Sequence, residues 1–202
     1  MIELNEEYLL YQGGYRNIYQ HPEYEGRCIK VLNQEALSKA RARKRRYEDE
    51  NSRDRRAYEI LEENVGQVYT QHIPQYYSML ETSLGLGLSM QLIRDRDGNP
   101  SKNLQQFLLD DPSAVSNPLL QQALHDLFSF LHKNAIVTRK YQTFNLTVQV
   151  LGSDFKIWLI DGLGNSDFLP LTSWFEVFAK RKVLRQIKVF KQRNQKLTNH
   201  HN

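Results

Sequence analysis

The sequence has a single cysteine, Cys28, and therefore no pair from which an internal disulfide could form. One cysteine favours a reducing compartment, so we expect a cytoplasmic protein. Cys28 stands in an apolar run, where a small buried side chain is expected rather than a reactive thiol. No apolar run approaches the roughly 18 residues of a transmembrane helix, so no membrane contact is expected. The acidic N-terminus lacks the basic flank of a signal peptide.

Neither charge nor hydrophobicity is extreme in this sequence. The chain has 202 residues, of which 40% are hydrophobic and 25% charged, with a formal net charge of +4. This composition is typical of a globular protein and not of a disordered one. The length predicts one domain, or one domain with two lobes. A mildly basic charge permits an acidic or phosphorylated partner without requiring one.

A predicted hairpin near the C-terminal third of the chain is the most informative stretch. Leu146–Val150 alternates apolar and polar residues, and Lys156–Ile160 is rich in strand formers. Residues 152–154, Gly-Ser-Asp, have turn composition, so the two strands should fold back on each other. Folding back brings Asn145 beside Asp161, and these oxygen ligands suit Mg²⁺ and its phosphates. The alternative is that each residue only caps the end of a strand.

The N-terminal region predicts a glycine-containing hairpin followed by a strand that carries a lysine. Tyr8–Tyr19 indicates strand, turn and strand, with Gly13 and Gly14 at the turn. Paired glycines let backbone N–H groups approach an anion, although they equally make a simple hairpin turn. Arg27–Leu32 predicts a third strand, and its Lys30 must reach a polar partner or solvent. A glycine-rich hairpin followed by a strand lysine is typical of the small lobe of a kinase.

A long basic segment follows this strand. Gln34–Glu63 contains helix formers without proline or glycine, which predicts one long helix or two short ones. Within it, Lys39–Arg56 carries nine Lys or Arg residues against four acids. This run indicates either a solvated helix face or a stripe that binds phosphate or nucleic acid.

The remaining segments predict a second hairpin and three further helices. The hairpin is expected within Ile73–Ile93, with its loop at Leu84–Gly87, and a polar linker at Arg94–Ser101 follows it. The helices are expected at Leu104–Leu109, from Asn117 and Pro118 onward, and at Ser173–Lys196. From Val177 to the end of the chain there are eight Lys or Arg residues and no acid.

Taken in order, these elements resemble the protein-kinase-like fold and, more closely, the bacterial YrbL family, described as PhoP regulatory network proteins. The closer resemblance rests on a set of short motifs that run from about residue 10 to residue 180. They include Gly14–Pro22, Arg27–Val31, Leu84–Gly87, Ile93–Ser101, Asn134–Thr138, Asn145-Leu146, Asp161–Gly164 and Leu169–Trp174.

The resemblance implies an α+β fold with two lobes and a nucleotide cleft between them. Residues 1–96 would form a small lobe with an antiparallel sheet, and residues 97–202 a reduced, mostly helical lobe. Gly13 and Gly14 would cover the phosphates of ATP, and Lys30 would contact its α- and β-phosphates. Asn145 and Asp161 would hold Mg²⁺.

The chain also departs from the kinase pattern at the residues that catalyse transfer. Lys140 stands where a kinase has its catalytic aspartate, and a protonated lysine cannot act as a base. The residues at the catalytic positions of the kinase pattern would thus be Lys140, Asn145 and Asp161. Asp54, with Glu50 one turn earlier, replaces the glutamate expected to pair with Lys30. Only 41 residues follow Asp161, too few for a full activation segment and substrate lobe.

We therefore predict a cytoplasmic, kinase-like regulatory protein linked by resemblance to PhoP two-component signalling, which binds ATP and Mg²⁺ without efficient phosphoryl transfer. One alternative is an active atypical kinase that phosphorylates a protein or small molecule, because positioning and charge neutralisation supply most phosphoryl-transfer catalysis. The other is a module whose basic helices bind a phosphoprotein or, as the less favoured partner, a nucleic acid.

Overall fold

The fold was analysed in a computed structural model that describes residues 1–33, 38, 49–138, 141–163 and 173–198. An antiparallel sheet precedes a mainly helical region, which confirms the α+β class. Within the described residues, the strands are β1 Leu9–Gln12, β2 Arg16–Gln20, β3 Arg27–Leu32, β4 Tyr76–Thr82, β5 Gly85–Gln91, β6 Leu146–Leu151 and β7 Asp154–Leu159. The helices are α1 Glu50–Val65, α2 Leu104–Asp110, α3 Pro118–Lys133 and α4 Ser173–Thr198.

The chain forms two compact units. One consists of residues 1–59 and 74–92, and the other of residues 60–73 and 93–202. Among the described helices, none combines the length and apolarity needed to cross a membrane.

The first unit contains a five-stranded antiparallel sheet in the order β1-β2-β3-β5-β4. Its strand β3 is central, with Lys30 opposite Ile18 of β2 and Leu88 of β5. Both faces of β3 are covered, since Cys28, Ile29, Lys30 and Val31 are all buried. The predicted strand at Arg27–Leu32 is confirmed. Burial raises the pKa of the Cys28 thiol, which agrees with a packing role for this residue.

Helix α1 begins after Asp49, whose carboxylate accepts hydrogen bonds from the backbone N–H and hydroxyl of Ser52 at 2.9 and 2.8 Å. These bonds satisfy donors that an uncapped first turn would leave without partners. Of the helix predicted at Gln34–Glu63, the part from Glu50 is confirmed. Residues 34–37 and 39–48, which carry most of the predicted basic stripe, lie outside the described residues.

The second hairpin differs from the prediction at its turn. Leu84–Gly87 was expected as its loop, but Gly85, Leu86 and Gly87 belong to β5, and only Ser83 and Leu84 connect the strands. The Thr82 hydroxyl donates to the Gly85 carbonyl at 2.6 Å and closes this tight turn. Gly87 is a packing requirement, because a Cβ there would lie 2.5 Å from Ile29 Cγ2.

In the second unit, α3 packs against the β6–β7 hairpin and against α4. Its start is as predicted: Pro118 is the first helical residue, and the Asn117 side chain accepts a hydrogen bond from the Leu119 N–H at 2.9 Å. Four leucines at steps of four, three and four residues predict the packed face of this helix: Leu120, Leu127 and Leu131 are buried and Leu124 is half-buried. The apolar spacing of the sequence therefore identified the packed face correctly.

The segment predicted as a polar linker, Arg94–Ser101, is a hydrogen-bonded turn. The Asp95 carboxylate accepts the Ser101 hydroxyl at 2.6 Å and the Val150 N–H at 2.8 Å. The Arg96 N–H donates to the Val150 carbonyl at 2.9 Å. These bonds connect the turn to β6. Its polar side chains satisfy backbone and hydroxyl groups rather than only facing solvent.

Candidate functional site

The β6–β7 hairpin carries the pair of residues predicted to hold a metal ion. Its register is regular, with Leu146 opposite Leu159 and Leu151 opposite Asp154. The tight turn at Gly152 and Ser153 sets this register. The strands predicted at Leu146–Val150 and Lys156–Ile160 are therefore confirmed, with β7 beginning at Asp154 and ending at Leu159.

Asn145 and the Asp161–Gly162 turn lie side by side at the open end of this hairpin. The Asn145 carbonyl accepts a hydrogen bond from the Ile160 N–H at 2.9 Å, which extends the pairing by one residue. An added Cβ on Gly162 would lie 3.1 Å from the Asn145 side-chain nitrogen. The Asn145 amide thus approaches the backbone directly after Asp161. The fold-back predicted from the sequence brings these two residues together.

The conformation after Asp161 needs a glycine. Gly162 has φ of +92°, a conformation that L-residues with a Cβ rarely adopt. Its N–H donates to Asp161 Oδ1 at 2.6 Å, so the carboxylate is held by its own turn. Asp161 and Asn145 are both half-buried and so keep contact with solvent. An oriented carboxylate and an amide at a partly open strand end suit a hydrated divalent cation.

Within the described ranges, no three or more His, Cys, Asp or Glu residues are grouped so that they could hold a metal ion. Within these ranges, a cation at Asn145 and Asp161 would thus have no cluster of such side chains around it, and water or phosphate oxygens could complete its coordination. Mg²⁺ accepts this arrangement, because it keeps several waters and is commonly bound by one or two protein oxygens together with substrate phosphates. The Asn145 amide and the Asp161 carboxylate offer oxygen ligands of the kind that Mg²⁺ accepts.

Lys30 lies at the middle of β3 and is only 5% exposed. Its backbone carbonyl accepts a hydrogen bond from the Asn51 side-chain amide of α1 at 2.9 Å. Asn51 is 1% exposed and also donates to the Leu86 carbonyl of β5 at 3.3 Å. This buried amide therefore attaches the first turn of α1 to the strand that carries Lys30. No sequence motif identifies Asn51, because both of its acceptors are distant in the chain.

Asp54, the predicted partner of Lys30, forms an ion pair with Arg16 of β2 at 2.5 Å. The two side chains are 11% and 10% exposed, and Arg16 Nη1 also lies 3.4 Å from Asn51 Oδ1. Arg16 was not predicted as a site residue, although it stands directly after the Gly13-Gly14 turn. Glu50, the alternative considered, pairs with Arg53 at 2.7 Å. The pairing of Lys30 with Asp54 stays a prediction.

Gly13 and Gly14 form the turn between β1 and β2, as predicted, but they meet different surroundings. A Cβ on Gly13 would lie 2.7 Å from the Arg16 carbonyl oxygen, whose backbone bond with the Gly13 N–H closes the turn. The Asn33 amide donates to the Gly13 carbonyl at 2.8 Å. Gly14 meets no atom within 4 Å of an added Cβ. Gly13 is therefore required by the hairpin itself, and the phosphate role of both glycines stays a prediction.

Lys140 and its neighbour Arg139 lie outside the described residues. The residues on either side are well packed: Thr138 is 0% exposed and Tyr141 is 3% exposed. The Gln186 side-chain amide of α4 donates to the Thr138 carbonyl at 2.7 Å. Helix α4 therefore holds the residue that precedes Arg139-Lys140.

These features describe an α+β protein with a buried strand lysine and an Asn–Asp pair at a hairpin end. Residues 2–195 match the family model described as PhoP regulatory network protein YrbL, and the chain belongs to this family. It is 30% identical over 191 residues to the uncharacterized protein YrbL of Escherichia coli (strain K12), covering 94% of this chain and 86% of that protein. The same figures hold for the uncharacterized protein YrbL of Shigella flexneri.

The comparison with solved structures found similarity to the PknI kinase domain of Mycobacterium tuberculosis. The TM-score is 0.45 at 19% identity, with 79% of this chain and 59% of the kinase-domain chain covered. A double mutant of the same domain gives a TM-score of 0.48 at 19% identity, with 78% and 59% covered. The chain thus spans well under two thirds of the kinase-domain chain.

Proposed function

We propose that this chain is a kinase-like regulatory protein that binds ATP together with Mg²⁺ and does not transfer phosphate efficiently. The observation that carries the proposal is the contact between Asn145 and the Asp161–Gly162 turn at the end of the β6–β7 hairpin. In this proposal Asn145 and Asp161 are the metal ligands. Membership of a family described as a PhoP regulatory network protein supports a regulatory role, which we place in the bacterial cytoplasm as part of the proposal.

A second set of residues is proposed to contact phosphate. Lys30 is buried on a central strand, and a buried ammonium requires polar or anionic partners. We assign it to the α- and β-phosphates, with Asp54 as its partner on α1. Gly13 and Gly14 are proposed to lie over the phosphates.

Inefficient transfer follows from Lys140 in the position of the catalytic aspartate. General-base catalysis typically contributes about 10²–10⁴-fold, and a protonated lysine cannot supply it. Within the proposal the Lys140 ammonium neutralises a phosphate oxygen. The alternative of an active atypical kinase predicts transfer that depends on Lys140.

A thermal-shift assay with ATP, with and without Mg²⁺, tests the proposal directly. A ligand at about 100 times its dissociation constant stabilises the folded state by about 2.7 kcal/mol, which is readily measured. We expect a Mg²⁺-dependent shift that is reduced in both Asp161→Asn and Lys30→Ala. Asp154→Asn is the matched control, because Asp154 is exposed at the opposite end of the same hairpin. Absence of any shift of the wild-type protein at millimolar ATP and Mg²⁺ would exclude the nucleotide-binding function.

A further inference from the structure

Helix α4 has an outer face on which apolar and basic side chains alternate. We define this outer face by six exposed residues: Val177, Phe178, Arg181, Leu184, Arg185 and Lys188. Successive steps of four, three and four residues place Val177, Arg181, Leu184 and Lys188 in one stripe along the helix. Phe178 is 61% exposed and Leu184 is 52% exposed. Large apolar side chains are therefore grouped with cations on one accessible surface.

The packing of the opposite face determines which way the outer face points. Val183 is 0% exposed and Phe190 is 5% exposed. The Phe190 ring meets the Phe128 ring of α3 edge-on, with centroids 5.4 Å apart. Gln186 is bonded to the Thr138 carbonyl from the same side. These contacts use the helix face needed for folding, so the outer face is not part of the core of this unit.

The charge of this helix indicates the sign of a partner. Arg181, Arg185 and Lys188 are exposed, and no acidic residue occurs from Val177 to the end of the chain. The one acid in the first turn, Glu176, is bonded to Lys180 at 2.5 Å. Charge complementarity therefore favours a partner with a negatively charged surface. Such a partner would associate faster and form a more stable complex.

The arrangement of the apolar residues distinguishes a protein from other anionic partners. A helix that inserts into an anionic membrane separates its apolar face from its basic face. Here Val177 and Leu184 alternate with Arg181 and Lys188 in a single stripe, so that separation is absent. A nucleic acid would engage the cations through its phosphates and would leave the aliphatic side chains without partners. Protein interfaces combine apolar and aromatic anchors with arginine and a charged rim.

We infer that the outer face of α4 is a docking surface for an acidic protein segment that also presents apolar side chains. Phe178 and Leu184 would supply the buried contacts, and Arg181, Arg185 and Lys188 would pair with carboxylates around them. The inference goes beyond the proposed function and does not depend on it. A protein that binds no nucleotide could still bind such a segment, so the two ideas fail separately.

The primary probe is a fluorescently labelled, synthetic helical peptide in which pairs of glutamates alternate with pairs of leucines. Its binding is measured by fluorescence anisotropy. Three comparison probes separate the other partners: a glutamate-only peptide, a duplex DNA oligonucleotide, and vesicles that contain phosphatidylglycerol. We expect saturable binding of the glutamate–leucine peptide that weakens between about 50 mM and about 300 mM salt, where exposed charges are screened. The glutamate-only peptide should bind more weakly, because it offers no apolar contacts.

Two variants and their matched controls test the assignment of the surface. Replacing Arg181, Arg185 and Lys188 by glutamine should raise the dissociation constant about tenfold. The control replaces three exposed cations of the same unit, Arg96, Lys102 and Lys133, by glutamine, and should bind like wild type. Phe178→Ser should raise the dissociation constant about fivefold. Its control, Leu109→Ser, removes a 67% exposed apolar side chain from α2.

All four variants change exposed residues, so their melting temperatures should match that of the wild type. Equal loss of binding in the variants and their controls would show that general charge, not this surface, attracts the peptide. Tighter binding of the DNA or the vesicles than of the glutamate–leucine peptide would also overturn the inference. So would the absence of peptide binding at sub-millimolar concentration.

Discussion

The ion pair between Arg16 and Asp54 should be a major contributor to the stability of the first unit, and Asp54→Ala tests this directly. The pair is almost enclosed, with side chains 10% and 11% exposed and a separation of 2.5 Å. Removing the carboxylate takes from the buried guanidinium an acceptor at 2.5 Å, whereas the Asn51 side-chain oxygen lies 3.4 Å away. Breaking a buried pair from one side costs about 3–5 kcal/mol, and we expect the lower end of this range.

This cost should be visible as a large change in melting temperature. For chains of 150–250 residues, 1 kcal/mol shifts the midpoint by about 2–4 °C, so Asp54→Ala should lower it by roughly 6–12 °C. Circular dichroism at two wavelengths, together with urea titration, gives the free energy of unfolding independently. The chain forms two compact units, which can unfold in separate transitions. The midpoint to compare is that of the transition shifted by Asp54→Ala.

The same helix offers a matched control in the ion pair of Arg55 and Glu59. Its partners are 3.0 Å apart but 47% and 50% exposed. Glu59→Ala should therefore cost only about 0.2–0.5 kcal/mol. If Asp54→Ala cost no more than Glu59→Ala, burial would not strengthen the inner pair, and the reasoning would be wrong.

Double substitutions separate the interaction energy of the ion pair from the cost of leaving one buried charge unpaired. Arg16→Leu combined with Asp54→Leu should be much less destabilising than either single change, because neither charge of this pair remains. A second cycle with Lys30→Met and Asp54→Ala measures whether Lys30 is coupled to the same carboxylate. A coupling energy near zero in that cycle would remove the predicted pairing of Lys30 with Asp54.

Three further results are expected. Gly162→Ala should lower the free energy of unfolding by about 1–3 kcal/mol in a urea titration, because φ at this position is +92°. Gly26→Ala should be nearly neutral, because an added Cβ there meets nothing within 4 Å. Equal costs would contradict backbone strain at position 162. Burial lowers the pKa of His72, which bonds to the Ile157 carbonyl at 2.9 Å, so the folded state favours the neutral ring. Below about pH 6.5 the unfolded state then binds more protons than the folded state, so the free energy of unfolding should fall as the pH drops through that value. His72→Asn should flatten this dependence of stability on pH. An unchanged dependence in the variant would refute the assignment. Lys140→Asp should give no gain in radiolabelled phosphate transfer and should weaken ATP binding, whereas robust wild-type transfer that drops in Lys140→Ala would contradict the regulatory function.

The sequence alone was sufficient to predict the β6–β7 hairpin, the start of α3 and the placement of Asn145 beside the turn that contains Asp161. Residue alternation and a short glycine turn set the register of the β6–β7 hairpin, and the register determines which residues meet at its open end. The start of α3 was equally local, since Asn117 and Pro118 act within one helical turn.

Tertiary structure decided the features that depend on residues distant in sequence. Arg16 and Asp54 are 38 positions apart, and no local spacing distinguishes this enclosed arginine from the exposed ones. The close packing of Gly87 in β5 depends on Ile29 of the neighbouring strand. The hydrogen-bonded conformation of Arg94–Ser101 depends on Val150. Such contacts arise when separate elements pack together, because burial then forces each polar group and each close backbone approach to find a compatible partner.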